Sequence, residues 1–502
     1  MADAETKDTA EAPQPRVSTG IVGLDDVLWG GLPSNRLYLV QGNPGVGKTT
    51  LGLQFLMEGA RLGERVMYVT LSETVDEIQA VAESHGWDLS DVIIREHTAD
   101  DQLKSDTLNT IFHVSEVDLT ETMSSLFEAV SVARPSRIVF DSLSELRLLS
   151  GGSLRYRREI LSLKRHFAGT QCTVLLLDDL TSDDGDQQLL SLCHGVIILE
   201  QTAPDYGGER RRMRVRKMRG LQFRSGYHDF AVRKGGIEVF PRLIAAEHRH
   251  DFENLVLSSG NSELDKLLGG GIDRGASAIL LGPSGAGKST IATLYAISTA
   301  ERGDKAIMYT MDESPAMLLN RSNGLGLALS KHVESGAITI RAVDPAEMAP
   351  GEFVHHVRES VTKDNVKTVV IDSLTGYLAS SPDDKSLLLT LHELLSYLGH
   401  CGVTVILVMA QHGMLGSNIQ PTVDISYLAD TVLLFRYFEH AGEVRQALSV
   451  FKRRGGAHER TIRELSLGQP CGVNIGPPLN KFHGIFTGVP VYQGMAREAI
   501  EG

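Results

Sequence analysis

Two glycine-rich segments of similar sequence constrain the fold of this chain more than any other feature. GNPGVGKT at residues 42–49 and GPSGAGKS at residues 282–289 both satisfy the pattern GxxxxGK[ST]. Each follows a short apolar run and precedes a segment whose apolar residues have helical spacing. The order strand, glycine loop, helix is typical of a phosphate-binding loop. Two such loops predict two nucleotide sites.

The repetition extends beyond the loops at a constant offset of 240 residues. Ser18 matches Ser258, and Glu73 matches Glu313. An offset held over more than fifty residues indicates a duplicated domain. The predicted organisation is a disordered tail at 1–16, an N-terminal domain at 17–247, a C-terminal domain at 248–490 and a short C-terminal tail at 491–502.

Each half contains five short, nearly continuous apolar runs separated by helical segments, as in RLYLVQG and RIVF of the first half and SAILLG and TVVI of the second. Such runs are typical of parallel strands that are buried on both faces. The sequence therefore predicts an α/β fold with two tandem P-loop domains. Each domain would be a mainly parallel sheet with helices on both faces.

Composition limits the functional classes. The net charge of −14 argues against broad nucleic-acid coating. The four cysteines form no CxxC pair, so neither a disulfide framework nor a zinc site is predicted, and a reducing cytoplasm fits. No apolar run reaches the ~18 residues that cross a bilayer, and the N-terminus lacks the apolar region of a signal peptide. We expect a cytoplasmic protein with no membrane partner.

The loop residues are predicted to bind the nucleotide, because glycine lets the backbone wrap a polyphosphate and the following helix N-terminus binds its charge. Lys48 and Lys288 would reach the β- and γ-phosphates, while Thr49 and Ser289 would bind Mg²⁺. The complete set is Gly42, Asn43, Pro44, Gly45, Val46, Gly47, Lys48, Thr49, Thr50, Gly282, Pro283, Ser284, Gly285, Ala286, Gly287, Lys288, Ser289 and Thr290.

Carboxylates for the metal and for base chemistry follow other strands. Asp141 and Asp372 each end an apolar strand, where a metal-ordering aspartate is expected; a helix N-cap is the alternative. Glu73 and Glu313 end the strand after the loop helix, and we predict them as catalytic bases. Asp312 adds a second carboxylate in the C-terminal half only, both as a base candidate and as a metal ligand. The alternative for these acids is an exposed strand end.

Basic residues near the end of each half align at an offset of 235 residues. Lys217 and Arg219 correspond to Lys452 and Arg454, and alternating residues of a strand lie on one side of it. We predict that all four contact a phosphate bound by a neighbouring subunit; a solvated basic strand is the alternative. The preceding run RRRMRVRK carries more charge than one phosphate needs, and it fits a subunit interface or nucleic acid.

With these residues assembled, the chain resembles the KaiC branch of the RecA-like ATPases from about Val17 to Tyr492. The most specific matches are the tandem loops, the preceding GLDDVLWGGLP and ELDKLLGGGI, the two DSL strand ends and VFKRRGGAHERTIRE. The resemblance implies a homohexamer of RecA-like domains with ATP and Mg²⁺ between subunits. It also implies ATP hydrolysis by the N-terminal ring, autophosphorylation by the C-terminal ring, and KaiB-like or histidine-kinase signalling proteins as partners.

The phosphoacceptors are implied by the same resemblance. Ser426 falls on the phosphorylated serine of the family, and Tyr427 falls on its neighbouring threonine. A strand or turn cap is the alternative for Ser426. Ser72 stands where the family has the first of two acids, which leaves Glu73 as the N-terminal base.

The leading hypothesis is a KaiC-like ATPase and autokinase that acts in signalling or timing. The first rival is a RecA-like DNA-dependent ATPase of the recombinase or helicase type. The shared fold and the arginine run support this rival, whereas the acidic net charge and the lack of an added DNA-binding module oppose it. A nucleotide-sensing scaffold without catalysis is the third hypothesis.

Overall fold

The computed structural model describes residues 15–96, 114–180, 186–204, 206–379, 385–411, 428–468, 472–485 and 491–492. The chain forms two compact units, Met1–Arg242 and Leu243–Gly502. The division falls before the boundary that the sequence predicts at residues 247 and 248. Leu243 and Ala245 explain the difference, because both are buried in the hydrophobic core of the second unit.

The first unit contains a nine-stranded sheet in the order β11-β10-β9-β8-β3-β7-β6-β4-β5. Its strands are β3 Leu37–Gly42, β4 Val66–Thr70, β5 Val92–Glu96, β6 Arg137–Asp141, β7 Thr173–Asp179, β8 Gly195–Thr202, β9 Arg210–Met218, β10 His228–Arg233 and β11 Gly236–Phe240, and β1 Arg16–Val17 pairs separately with β2 Leu32–Pro33. The helices are α1 Val22–Val27, α2 Lys48–Arg61, α3 Val75–His85, α4 Val114–Ala133, α5 Leu143–Ser150, α6 Ser153–Phe167 and α7 Asp186–Leu192.

The second unit repeats this topology in the order β22-β21-β20-β19-β14-β18-β17-β15-β16. Its strands are β12 Val256–Leu257, β13 Ile272–Asp273, β14 Ser277–Gly282, β15 Lys305–Thr310, β16 Ile338–Ala342, β17 Val366–Asp372, β18 Thr404–Ala410, β19 Thr431–His440, β20 Glu443–Arg453, β21 Arg463–Gly468, β22 Gly472–Pro478, β23 Phe482–His483 and β24 Val491–Tyr492. The helices are a 3-10 turn Ala245–Glu247, α8 Ser262–Leu267, α9 Lys288–Glu301, α10 Pro315–Gly324, α11 Leu329–Glu334, α12 Pro350–Thr362, α13 Leu374–Ala379 and α14 Lys385–His400.

In each large sheet six neighbouring strands are parallel and the last three are antiparallel. Successive residues of β3 are buried on opposite faces: Val40 packs in the cluster with α2, while Leu39 packs in the cluster with α6. Burial on both faces explains the nearly continuous apolar runs in the sequence. The predicted α/β fold, a mainly parallel sheet with helices on both faces in each half, is confirmed.

Two predicted tails are shorter than the sequence suggests. Arg16, which was assigned to the N-terminal tail, is the first residue of β1 and pairs with Pro33. Val491 and Tyr492, which were assigned to the C-terminal tail, form β24 and pair with β23. Short two-residue pairings of this kind have no periodic signal in the sequence, because they lack the length over which alternation can be recognised.

Candidate nucleotide sites

The N-terminal glycine loop lies at the carboxyl edge of the parallel strands. It leaves β3 at Gly42 and enters α2 at Lys48. Gly45 and Gly47 have φ angles of 79° and 110°, in the left-handed region that favours glycine. The first N–H groups of a helix have no intrahelical acceptor, so the start of α2 suits a phosphate.

Lys48 is buried in this loop and is held by a carboxylate. Its Nζ donates to the carbonyl oxygens of Gly42 at 2.9 Å and Asn43 at 3.2 Å. The same Nζ lies 2.8 Å from Oδ1 of Asp179, at the end of β7. Asp179 was not predicted as a site residue. The acidic end of TVLLLDD could have indicated it. This segment forms β7, which is parallel to β3 and ends beside the glycine loop at the same edge of the sheet.

The predicted metal residues of the first unit meet beside the loop. Thr49 Oγ1 donates to Oδ2 of Asp141 at 2.8 Å, and the Tyr68 hydroxyl donates to the same oxygen at 2.5 Å. Burial raises the pKa of Asp141, although the hydrogen bonds from Tyr68 and Thr49 and the charge of Lys48 lower it. A hydroxyl and a carboxylate in contact are oxygen ligands of the kind that Mg²⁺ uses together with substrate phosphates and water.

The backbone of Glu73 is held by Thr70, whereas one oxygen of its carboxylate is not hydrogen-bonded to any described residue. Thr70 Oγ1 accepts a hydrogen bond from the Glu73 N–H at 2.9 Å and donates to the Glu73 carbonyl at 2.7 Å. The next residue, Thr74, caps α3 in a capping box with Glu77. Within the described part of the chain, the buried Oε2 of Glu73 has no hydrogen-bond partner. Burial raises the pKa of Glu73, and the charges of Asp141 and Glu77 raise it further.

The C-terminal loop repeats the backbone of the first one. Gly285 and Gly287 have φ angles of 77° and 95°, and α9 begins at Lys288. Lys288 Nζ donates to the Pro283 carbonyl at 2.6 Å. Burial lowers the pKa of Lys288 to about 8, although the charge of Asp372 raises it. Ala410 pairs with Gly282 as Asp179 pairs with Gly42, so β18 supplies no carboxylate at this position.

The predicted metal residues of the second unit are also close together. Burial raises the pKa of Asp372, while a hydrogen bond from Ser289 and the charge of Arg321 lower it. Asp312 Oδ2 accepts a hydrogen bond from the Ser373 hydroxyl. The Asp141–Ser142 and Asp372–Ser373 peptide bonds are both cis, so the two units share the backbone geometry at this strand end.

Glu313 differs from its counterpart Glu73 because an arginine binds it. Arg321 donates from Nη2 to Oε2 at 2.8 Å and from Nε to Oε1 at 3.2 Å. Its remaining terminal nitrogen, Nη1, donates to Thr290 Oγ1 at 3.0 Å. Arg321 was not predicted as a site residue, because an arginine on a helix eight residues from a glutamate is not by itself a site signal.

The four basic residues predicted to contact a phosphate of a neighbouring subunit lie at the edge of each sheet opposite to the loop of the same unit. Lys217 Nζ donates to the carbonyls of Leu190 at 2.7 Å and Cys193 at 2.9 Å, which precede β8. Arg219, just after β9, donates to the Ser191 carbonyl at 2.8 Å. Because β8 is parallel to β3, residues that precede it lie away from the carboxyl edge.

The second unit has the same arrangement. Lys452 Nζ donates to the Ala429 carbonyl at 2.8 Å, just before β19. Arg454 follows β20 and lies 3.3 Å from Asp430 Oδ1. The predicted phosphoacceptors Ser426 and Tyr427 lie outside the described residues, which resume at Leu428.

No helix in the described ranges is long and apolar enough to cross a bilayer. In those same ranges, no group of three or more His, Cys, Asp and Glu residues could by itself hold a metal ion.

Comparison with known proteins shows similarity along nearly the whole chain. A family model described as ATPase: KaiC matches residues 17–244 and 257–480. The circadian clock oscillator protein KaiC of Acaryochloris marina is 27% identical over 494 residues, covering 95% of this chain and 91% of the relative. That of Synechococcus elongatus is 26% identical, covering 95% and 92%, and the circadian clock protein KaiC3 of Synechocystis is 25% identical, covering 95% of each.

Proposed function

The chain belongs to the KaiC family of ATPases, and from this premise we propose that it hydrolyses ATP in its N-terminal unit and phosphorylates itself in its C-terminal unit. A role in signalling or timing accompanies these activities. Family membership supports this proposal, and so do the two glycine loops, each of which leads into a helix that begins at the loop lysine. The relatives are circadian clock proteins by name.

The observation that carries the hydrolysis proposal is that Oε2 of Glu73 has no hydrogen-bond partner in the part of the chain that the structure describes. Its raised pKa suits an acceptor of the proton that an attacking water must lose. Lys48 and the N-terminus of α2 would hold the phosphates, and Thr49 and Asp141 would hold Mg²⁺. A bound Mg²⁺ would neutralise charge that develops on the phosphate oxygens.

For the C-terminal unit we assign the same roles to Lys288, Ser289 and Asp372, with Asp312 as a further metal ligand. Glu313 is the base for the acceptor hydroxyl, and Asp312 is the second base candidate. Ser426 is the proposed acceptor, with Tyr427 beside it. A hydroxyl acceptor in place of water turns the same phosphoryl transfer from hydrolysis into protein phosphorylation.

Assembly into a homohexamer is part of the proposal. A phosphate on the loop of their own unit is out of reach of four basic residues at the opposite sheet edge, and a phosphate bound by a neighbouring subunit is their proposed contact: Lys217, Arg219, Lys452 and Arg454. KaiB-like proteins and histidine kinases are the proposed signalling partners, from family membership alone. Sedimentation velocity with and without Mg-ATP tests assembly, and a monomer under all conditions would contradict it.

The nucleic-acid alternative receives little support from the arginine run. Arg212 lies 2.9 Å from Glu200 and stacks over Tyr227, and Arg211 lies 2.6 Å from Glu209. Glu200 and Glu209 therefore offset part of the positive charge of β9. Salt-sensitive binding of single-stranded DNA would favour this alternative.

Intact-mass spectrometry after incubation with Mg-ATP tests the kinase proposal, and phosphate release tests hydrolysis. We expect a gain of one phosphate that Ser426→Ala removes and that Tyr427→Phe leaves in place. A protein that keeps its mass in all variants is not an autokinase. A protein that also leaves ATP intact fits the scaffold hypothesis.

A further inference from the structure

The proposed base of the C-terminal site, Glu313, is bound by an arginine. Both carboxylate oxygens of Glu313 accept hydrogen bonds from Arg321, through the two-pronged geometry that makes arginine–carboxylate pairs strong. The pair is half-buried, with exposed fractions of 31% for Arg321 and 25% for Glu313, so water screens it less than a surface pair. A base that accepts a proton needs one of these oxygens.

No counterpart of this contact is present among the residues of the N-terminal unit that the structure describes. At the constant offset of the repeat, Val81 stands in the place of Arg321. Both side chains belong to the helix that starts two residues after the glutamate, α3 in one unit and α10 in the other. Val81 packs against the hydrophobic core, and Oε2 of Glu73 keeps no partner among the described residues. The exchange of Val81 for Arg321 is therefore one difference between the two proposed bases, beside that of Ser72 for Asp312.

Arg321 also connects the base to the loop helix. Its third contact is Thr290 Oγ1, in the first turn of α9 and next to Ser289. A polyphosphate bound at this helix N-terminus is a competing anion for the guanidinium, because arginine binds phosphate with the same fork. Nucleotide binding and release of the glutamate are therefore linked through one side chain.

We propose that Arg321 is an ionic latch on Glu313, a positioning residue that slows phosphoryl transfer in the C-terminal unit until the guanidinium moves to another anion. The inference rests on the proposed role of Glu313 as base. While the latch is closed, the guanidinium N–H groups compete with the acceptor O–H for the carboxylate oxygens. Once it opens, Glu313 has the free acceptor that Glu73 already possesses.

A reciprocal exchange tests the latch. Arg321→Val, measured with the N-terminal base removed by Glu73→Gln, is expected to raise the rate constant of phosphate incorporation, followed by intact mass, about tenfold, with the half-saturating ATP concentration changed less than twofold. Val81→Arg, measured with Glu313→Gln, is expected to lower kcat for phosphate release by a similar factor. Arg321→Lys keeps the charge but loses the two-pronged contact, and in the Glu73→Gln background its rate of phosphate incorporation should fall between those of Glu73→Gln alone and of Arg321→Val.

The double variant Glu73→Gln/Glu313→Gln supplies the reference rate and separates two kinds of failure. If this variant gains phosphate as fast as Glu73→Gln alone, Glu313 is not the base; the latch and the proposed role of Glu313 are then both wrong, and Asp312 is the remaining base candidate. If it gains no phosphate while Arg321→Val leaves the rate of incorporation unchanged or lowers it, at an unchanged thermal midpoint, the base stands and the latch is wrong. A lowered midpoint is resolved by Arg321→Lys, whose rate of incorporation must exceed that of Glu73→Gln alone for the latch to stand.

Discussion

The two halves of the molecule share their strand order and loop conformation but differ in which site residue forms an ion pair. In the N-terminal unit the loop lysine, Lys48, is paired with Asp179, while an oxygen of the proposed base Glu73 has no partner within the described ranges. In the C-terminal unit the base Glu313 is paired with Arg321, while Ala410 replaces the aspartate that would face Lys288.

This difference shows how a duplicated fold can divide its work. Strand order, loop dihedrals and the cis peptides after Asp141 and Asp372 are shared, so the scaffold does not distinguish the sites. A few side chains at equivalent positions do. Function therefore has to be assigned from the contacts of each site rather than from the fold.

The largest expected difference between the halves concerns the two loop lysines. Lys48→Ala is expected to reduce phosphate release or hexamer assembly, and Lys288→Ala is expected to reduce autophosphorylation, each by about 100-fold, because a direct contact to the transferring phosphate is lost. Phosphate release, sedimentation and intact mass are measured on both variants. Full phosphorylation in both would remove the proposed division of labour.

Asp179 provides the next test. Because Asp179 competes with phosphates for Lys48, Asp179→Ala is expected to lower the nucleotide Kd of the N-terminal site about fivefold, the equivalent of a partly exposed pair worth about 1 kcal/mol. Ala410→Asp is the matched variant, and it should weaken the C-terminal site. Fluorescent-nucleotide titration measures both, and weaker binding by Asp179→Ala would show that the aspartate helps to hold the nucleotide.

Protonation of Lys288 offers a smaller but specific signal. Its pKa of about 8 means that near pH 8 about half of the free sites carry an uncharged amine. A bound polyphosphate favours the ammonium, so binding should take up about half a proton at pH 8 and almost none at pH 6. Calorimetry in buffers of different ionisation enthalpy measures this uptake. Lys288→Arg, which stays charged, should abolish it.

The smallest expected effect is on stability. The pKa of Glu73 is raised in the folded protein, so the folded state prefers the protonated form. The resulting stability is fully present below the ordinary carboxyl pKa and is lost as pH rises through the folded pKa. Glu73→Gln imitates the protonated form and should raise the thermal midpoint at pH 7 by about 2 °C. The gain should vanish near pH 4, and a gain that does not change with pH would have another cause.

The sequence predicted most of the fold because its signals are periodic or repeated. Ten buried runs, two glycine loops and an offset of 240 residues specified the parallel sheets and their helices. The antiparallel extension β9 to β11 and the short pairs β1–β2 and β23–β24 were not predicted, since edge pairings depend on partners that are distant in the chain.

The site was predicted in part, for a related reason. Thr49, Asp141 and Glu73 stand at strand and loop ends that a motif can identify, and the structure brings Thr49 and Asp141 into contact. Asp179 and Arg321 have no motif of their own. Their importance comes from one neighbour each, Lys48 and Glu313, and neighbours are known only once the strands and helices are packed.

The sequence by itself determined that there are two loops, that each opens a helix after a buried strand, and that the acids and bases occupy matching positions. These properties follow from local residue type and spacing. Only the tertiary structure decided which charged side chains form ion pairs with each other. An ion pair depends on a separation of a few ångströms between side chains, such as Lys48 and Asp179, that lie 131 positions apart in the chain.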